Sequence, residues 1–186
     1  MFKNVFSKYF VCILIVLFIG TAGLGLWYVD EVFPRGIMWK EYAFQDTSGQ
    51  YEIALKHKKV QVRYANNVIW STNNDIKVQK VLSSDIDRDG QDELVLLCWR
   101  KGHYGDVKPI WVEEDETDWV QHIFLYELTP KDVPAKWMSS YIGKDVFDIT
   151  AEADETLGSL LKLTDIAGED SVWRWESWGF TRVDIP

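Results

Sequence analysis

The sequence predicts an N-terminal transmembrane helix followed by an all-β domain. Three observations support this prediction. A stretch of 21 uncharged residues, 9–29, stands near the N-terminus. After it, many short segments alternate polar and apolar residues between turn-forming residues, a pattern typical of antiparallel strands. No later segment of the 186-residue chain shows the apolar period of an amphipathic helix.

Composition and charge exclude several classes of protein. Apolar residues make up 47% of the chain and charged residues 26%, which excludes wholesale disorder and collagen-like repeats. The net charge is −9 and the chain has no basic stripe, so we expect no nucleic-acid partner. The sequence patterns of a nucleophile elbow, a phosphate-binding loop and a zinc-protease helix are all missing. We therefore expect that the protein is not an enzyme.

The first predicted element is a membrane anchor over residues 9–29. A helix rises about 1.5 Å per residue, so about 20 residues cross the hydrocarbon core of a bilayer. Lys3 and Lys8 precede the stretch and no acidic residue does, which predicts a cytoplasmic N-terminus, residues 1–8, and a main domain outside the cell membrane. The alternative is a cleaved signal peptide, although residues 21–23 make a poor cleavage site.

The part outside the membrane divides into a stalk with a lead-in strand, residues 30–50, and an extracytoplasmic β-repeat domain, residues 51–186. From residue 30 onward there are 29 acidic and 18 basic residues, a net charge of −11. Cys98 is its single cysteine and lies in an apolar run, so we expect no disulfide and an inert core thiol.

Eleven strands are predicted after the lead-in strand. The first two alternate around a lysine-rich turn and predict a hairpin, and residues 77–87 and 93–100 flank an acidic loop that contains glycine. The predicted strands are residues 51–57, 59–65, 68–72, 77–87, 93–100, 121–128, 135–140, 146–153, 159–166, 171–178 and 180–185.

A weak internal repeat favours propeller-like blades. Trp70 precedes Leu94 by 24 residues, Trp137 precedes Leu160 by 23, and Trp178 opens a truncated third unit. Each unit is a strand ending in Trp, a long strand, an acidic loop and an apolar strand, which suits blades of four short strands.

The sequence supplies about three blades, whereas closed propellers have roughly four to eight. The propeller is then incomplete, or a partner protein or a second copy of the chain completes it, or the chain contains more blades than the repeat reveals. The third unit lacks its last strand, and we expect the lead-in strand, residues 41–46, to pair there and join the two ends.

The chemistry of the chain is concentrated in the segment DIDRDGQDELVL, which begins at residue 85. Ca²⁺ takes six to eight oxygen ligands, and three alternating aspartates wrap one side of such an ion. A glycine then allows a sharp turn, after which a backbone carbonyl and a glutamate close the site. The predicted ligands are Asp85, Asp87, Asp89, the carbonyl of Gln91, and Glu93.

Two other interpretations of this segment fit its residues less well. An EF-hand needs a bidentate glutamate at loop position 12, where this chain has Leu96, and it needs flanking helices, where this chain has strand patterns. An ordinary solvated turn also favours aspartate and glycine. A calcium loop in a β-hairpin fits the spacing better than either.

The pattern D-x-D-x-D-G-x-x-E followed by L-V-L, after V-x-x-V-x-x-x-D, resembles the FG-GAP or VCBS-type repeat of integrin-α-like β-propellers. The resemblance implies a structural calcium ion in a hairpin loop between blade strands. The chain departs from the repeat because no Phe-Gly opens the unit and no Gly-Ala-Pro follows Leu97. The second copy of the unit, residues 150–161, lacks the aspartates, so we expect no ion there. The matching residues are Val78, Val81, Asp85, Asp87, Asp89, Gly90, Glu93, Leu94, Val95 and Leu96.

Two further groups of residues are candidates for binding. Trp173 and Trp175 face the same side of a strand, and with Trp178 they offer a ligand face for sugar rings, unless they fill the core instead. The acidic segment 101–122 offers a surface for a basic partner. A transition-metal site in this segment has no recognised ligand spacing; its side chains would be His103, Asp106, Glu113 and His122.

The sequence therefore predicts a single-pass membrane protein with an extracytoplasmic binding or scaffolding domain and a structural Ca²⁺ site. One alternative is a binder of cell-wall or other polysaccharide that uses the tryptophan face. Another is an accessory subunit of a membrane-bound enzyme or synthesis machinery.

Overall fold

The computed structural model describes residues 33–34, 36–102, 104, 110–115, 117–154 and 156–183. The predicted anchor, residues 9–29, and the N-terminus before it lie outside the described residues. Among the residues that the structure describes, no helix is long and apolar enough to cross a membrane.

The described residues form twelve strands and no helix, which confirms the all-β prediction. The strands build three antiparallel sheets of four, and each sheet is a meander in which consecutive strands are neighbours. The first sheet contains β1 (Tyr42–Gln45), β2 (Tyr51–Lys56), β3 (Lys59–Tyr64) and β4 (Asn67–Ser71); the second contains β5 (Lys77–Ser84), β6 (Glu93–Lys101), β7 (Trp119–Glu127) and β8 (Ala135–Met138); the third contains β9 (Val146–Asp154), β10 (Gly158–Asp165), β11 (Asp170–Glu176) and β12 (Gly179–Val183).

The sheet boundaries differ from the predicted repeat unit. Trp70 lies in β4 and Trp137 lies in β8, so the tryptophan strand is the last strand of its sheet and the predicted unit spans two sheets. The expectation that the lead-in strand completes the last sheet is wrong. Strand β1 pairs with β2, with Tyr42 opposite Leu55, and β12 completes the third sheet. Strands joined by short turns pair with each other, because closing a long loop costs more chain entropy.

The second sheet is buried on both faces. Successive side chains of β6 point to opposite sides, so Leu94, Leu96 and Cys98 pack in a core shared with the first sheet, while Val95 and Leu97 pack in a core shared with the third. This double burial explains the continuous apolar run, and it confirms Cys98 as a core residue.

The outward faces of the first and third sheets are polar. Arg63 pairs with Glu52 at 3.9 Å on the first sheet. Lys162 pairs with Asp170 at 2.8 Å on the third. The three sheets thus form a stack whose apolar surface lies between the sheets and whose outer faces suit water.

Side chains join neighbouring sheets by pairing with backbone groups. The Tyr42 hydroxyl donates to the Val81 carbonyl at 2.7 Å and accepts from the Val81 N–H at 2.9 Å, so it joins β1 to β5. The Gln121 amide donates to the Val146 carbonyl at 2.8 Å and accepts from its N–H at 2.5 Å, so it joins β7 to β9. Each contact reproduces the two hydrogen bonds of a β-bridge.

A second buried glutamine completes the junction with the third sheet. The Gln79 carbonyl oxygen accepts from the Trp99 indole at 2.8 Å and from the Gln121 amide at 2.8 Å. Its own amide nitrogen donates to the carbonyls of Val146 at 3.1 Å and Phe147 at 2.8 Å. All polar atoms of both glutamine side chains are therefore hydrogen-bonded, as burial requires.

We expect Cys98 to be unreactive in the folded protein. Its side chain is fully buried, and burial raises the pKa of the thiol well above its ordinary value. A thiolate is the reactive form of cysteine. The Cys12→Ser variant keeps Cys98 as its one cysteine, so it should give no adduct with a thiol reagent at pH 8 until denaturant is added. Labelling at the rate of an exposed cysteine without denaturant would contradict the buried position of β6.

Candidate metal centre

The loop between β5 and β6 brings three carboxylates together. Asp85, Asp87 and Asp89 each offer an oxygen, and these atoms all lie within 4.8 Å of one another. No other group of three metal-ligating side chains meets this distance among the described residues. Three carboxylates so close repel one another unless a cation compensates their charge.

The backbone of the loop uses one oxygen of each aspartate. The N–H of residue 89 donates to Asp87 at 3.2 Å, that of Gly90 donates to Asp85 at 3.1 Å, and that of Gln91 donates to Asp89 at 2.8 Å. These bonds curl the chain around the carboxylates. Gly90 has a φ of +89°, which glycine adopts without strain.

The second carboxylate oxygen of Asp85 has no hydrogen-bond partner, although it is buried from solvent. A buried acceptor left unpaired costs about 1–3 kcal/mol, so such atoms are rare in folded proteins. Asp85 is one of the three aspartates of the cluster. A bound cation would supply the partner that it lacks.

A lysine from β8 provides a positive charge on the other side of the loop. The Lys136 ammonium binds Asp87, and it donates to Glu93 at 2.7 Å. Burial lowers the pKa of Lys136, but the hydrogen bonds to these carboxylates outweigh that effect and raise the pKa. The sequence analysis missed Lys136, because it lies 43 residues from Glu93 and no local pattern connects the two.

Glu93, a predicted ligand, is 2% exposed and has both oxygens in hydrogen bonds. One accepts from Lys136 and the other accepts from the Ile86 N–H at 2.9 Å. Burial raises the pKa of Glu93, and the hydrogen bonds from Lys136 and Ile86 oppose this rise. The structure therefore brings the three aspartates together and turns Glu93 towards Lys136.

The loop also contacts the first and third sheets. The Asp92 carboxylate accepts from the Ser83 hydroxyl at 2.7 Å and from the Thr47 N–H at 3.1 Å, which ties the loop to the turn between β1 and β2. The Arg88 side chain lies against Gly158, at the turn between β9 and β10. A cation in this loop would thus stiffen a point where all three sheets meet.

The predicted tryptophan face is divided in the structure. Trp173 and Trp175 are half-buried and pack against the core between the second and third sheets, whereas Trp178 is 83% exposed in the turn before β12. The Trp175 ring meets Trp137 and Phe180 edge-to-face, with centroids 5.8 and 5.4 Å apart. Core filling therefore accounts for the first two tryptophans.

The transition-metal candidates of the acidic segment do not form a described cluster. His103 and Asp106 lie outside the described residues. His122 is buried, and its two ring nitrogens face the carbonyl oxygens of Ser139 at 3.0 Å and Gly102 at 3.2 Å. The ring thus connects β7 to two backbone carbonyls.

The aspartate cluster presents only oxygen donors, so its chemistry is that of a hard cation such as Ca²⁺ or Mg²⁺. It contains no sulfur or imidazole ligand that would select zinc or copper. Comparison of the chain with protein-family models, curated proteins and solved structures found no match.

Proposed function

We propose that this chain is a membrane-anchored, extracytoplasmic binding or scaffolding protein in which one Ca²⁺ ion fixes the loop between β5 and β6. The observation that carries the proposal is the cluster of Asp85, Asp87 and Asp89 with its buried, unpaired Asp85 oxygen. The location is supported by the uncharged stretch 9–29 and the two lysines before it.

Calcium suits this loop better than magnesium. Ca²⁺ accepts six to eight oxygens in flexible geometry, whereas Mg²⁺ demands a near-ideal octahedron and keeps several waters. The proposed ligands are Asp85, Asp87, Asp89, the carbonyl of Gln91, and Glu93. Because both oxygens of Glu93 are hydrogen-bonded, we expect it to contribute more through its charge than through a direct bond to the ion.

We also propose that the three sheets are blades of an incomplete propeller of the FG-GAP or VCBS type. Two features support this: each sheet is a four-stranded meander, and side chains join β1 to β5 and β5 to β9, so that the first strands of the three sheets lie near one another. Because the outer faces of the stack are polar, the core is buried without a partner protein or a second copy of the chain to close the propeller.

The calcium site is tested by thermal melting of the full-length protein in detergent. Extracellular calcium modules bind at about 10⁻⁴–10⁻³ M, so 10 mM Ca²⁺ should stabilise the folded state by about 1.4–2.7 kcal/mol over chelator. That corresponds to a rise in Tm of roughly 3–10 °C for a domain of this size. Mg²⁺ should give a smaller rise.

The variant for this test is Asp85→Asn, which keeps the shape of the side chain and its hydrogen bond from Gly90 but removes the charge. The variant should lose most of the rise in Tm that calcium produces in the parent protein. The matched control is Asp154→Asn, in the corresponding hairpin of the third sheet, where Asp154 accepts two backbone N–H groups. A shift that is equal in Asp85→Asn and the parent protein would refute the site.

A further inference from the structure

The exposed apolar side chains of the three sheets are concentrated at one end. Because each sheet is an antiparallel meander, alternate connections lie at the same end of that sheet. The end at which the chain enters β1 is called the entry end here. It comprises the segment before β1 and the connections β2–β3, β4–β5, β6–β7, β8–β9 and β10–β11, which are residues 36–41, 57–58, 72–76, the described part of 102–118, 139–145 and 166–169.

Hydrogen bonds show that the three sheets share this end. The Val78 N–H, in β5, donates to the Lys58 carbonyl in the β2–β3 turn at 2.8 Å. The Ile166 N–H, in the β10–β11 turn, donates to the Asp145 carbonyl in the β8–β9 connection at 3.1 Å. The aspartate loop lies at the opposite end, where Asp92 accepts a hydrogen bond from the β1–β2 turn.

Six of the nine large apolar side chains that are exposed among the described residues belong to the entry end. Val68 and Trp178 lie at the opposite end, and Met138 lies between the two, beside the middle of β7. Single exposed apolar residues are ordinary in a soluble domain, but their collection at one end marks a contact surface. The six are Met38, Tyr104, Ile110, Trp111, Tyr141 and Ile166.

The β6–β7 connection carries the most exposed of these side chains. Ile110 is 99% exposed and its neighbour Trp111 is 80% exposed. Both lie in sequence between Tyr104 and Asp115, whose hydrogen bond from N–H to carboxylate, 3.0 Å long, closes this part of the connection into a loop. An aliphatic and an aromatic side chain that adjoin in such a loop suit insertion into an apolar phase.

Contacts between lysine and tryptophan also lie at the entry end. The Lys58 ammonium is 4.7 Å from the centre of the Trp39 ring, and the ammonium groups of Lys77 and Lys101 are each 5.7 Å from the centre of the Trp119 ring. Each of these side chains has an apolar body and a polar tip. Proteins place such side chains at the level of the lipid headgroups, where one part is dry and the other is wet.

The chain that leads to the entry end selects its occupant. The proposed anchor ends at residue 29, and Trp39 follows ten residues later, beside the β2–β3 turn. Ten extended residues span at most about 36 Å, and the nine residues of β6 span about 30 Å. The opposite end could therefore meet the bilayer only with this tether almost fully extended, whereas the entry end meets it with slack. The tether also keeps the lipid within reach, so weak apolar contacts suffice.

We propose that the entry end rests on the surface of the lipid bilayer, with Ile110 and Trp111 inserted into the interfacial region. The inference rests on the membrane anchor proposed above and names the surface that the domain contacts. Glu113, Glu114 and Asp115 follow the inserted pair, and their charges offset those of the lysines at this end. The contact is therefore apolar and aromatic, and it does not need anionic headgroups.

The test compares two reporter positions in the full-length protein, reconstituted in phosphatidylcholine vesicles. Trp111→Cys and Trp178→Cys replace tryptophans that are 80% and 83% exposed, at opposite ends of the sheets. Each is made in the Cys12→Ser chain, where Cys98 is buried, and each is labelled with an environment-sensitive fluorophore. Lipid with a spin label on its acyl chain should quench the fluorophore at position 111 and leave the one at position 178 unchanged. Equal quenching at both positions, or none at either, would overturn the proposal.

Variants identify the side chains that make the contact. Ile166→Cys places the fluorophore at the entry end but on a different sheet. Adding Ile110→Ser with Trp111→Ser to this chain should reduce the quenching, because the end then loses the apolar side chains that hold it in the interface. The control is Val68→Ser with Trp178→Ser, an exposed pair at the opposite end, which should leave the quenching unchanged. Quenching that survives the first pair of substitutions would refute the assignment to Ile110 and Trp111.

The charge of the lipid distinguishes apolar insertion from attraction to headgroups. Replacing part of the phosphatidylcholine by phosphatidylglycerol should not increase the quenching at position 111, because acidic residues adjoin the inserted pair. An increase that high salt abolishes would overturn the apolar contact.

Flotation separates this inference from the proposed function. A chain that floats with the vesicles but is quenched equally at positions 111 and 178 keeps its anchor and refutes the inference alone. A chain that does not float refutes the anchor, and the inference with it. Neither result bears on the calcium loop, which the melting experiment tests by itself.

Discussion

Replacing Lys136 by methionine is expected to destabilise the protein by about 3–5 kcal/mol in chelator, the usual loss when one partner of a buried ion pair is removed. The Lys136 ammonium is the positive charge that faces Glu93 and Asp87, and Glu93 is 2% exposed. Methionine fills a similar volume but leaves these carboxylates without their counter-charge. The measurement is the free energy of unfolding from denaturant titration.

Calcium should restore much of this loss. The ion would bring positive charge to the same carboxylates, so the calcium-induced rise in Tm should be larger in Lys136→Met than in the parent protein. Lys80→Met is the control, because Lys80 forms a more exposed pair with Asp148 and should lose no more than about 1 kcal/mol. A Lys136→Met protein no less stable than Lys80→Met would contradict the structural role of the ammonium.

The pH dependence of the Lys136→Met variant gives a second readout. Burial already raises the pKa of Glu93, and loss of the lysine should raise it further. A carboxyl whose pKa is raised in the folded state binds more protons folded than unfolded, so stability falls as pH rises from the unfolded pKa through the folded one. The difference in the free energy of unfolding between the parent protein and Lys136→Met should therefore be smaller at pH 5 than at pH 7.

Local sequence predicted the strands well because strand formation here follows local alternation. Residues 51–57 and 59–65 alternate, and they became β2 and β3. The boundaries of the sheets were not predictable in the same way. Trp70 lies in β4, the last strand of the first sheet. The sheet to which a strand belongs depends on which strands pair. The spacing between the tryptophans is the same whichever strand begins the repeat unit, so it could not show this.

In the candidate site too, contacts between residues close in sequence were predicted, and contacts between residues distant in sequence were not. Asp85, Asp87 and Asp89 lie within five residues, so their proximity follows from a tight loop. Lys136 and Gly158 reach that loop from other strands and other sheets, and short-range spacing carries no information about such contacts. The sequence thus identified the acidic half of the site, while its counter-charge required the fold.

Gln121→Leu is expected to destabilise the protein by about 3 kcal/mol, because the Val146 N–H loses its acceptor inside a dry junction. Leucine is close in size to glutamine, so the loss reports hydrogen bonding more than a cavity. Gln61→Leu, on the polar outer face of the first sheet, is the matched control and should change stability by no more than about 0.5 kcal/mol.

Hydrogen exchange distinguishes the junction from a general loss of stability. In the parent, the Val146 amide should exchange only on extensive unfolding, since Gln121 holds it between the second and third sheets. In Gln121→Leu it should lose more protection than the amides of β6, which keep their ladder partners on both sides. Equal loss at both places would mean that Gln121 contributes nothing specific to the junction. A selective loss at Val146 would show that the glutamine amide acts as a β-bridge between the two sheets.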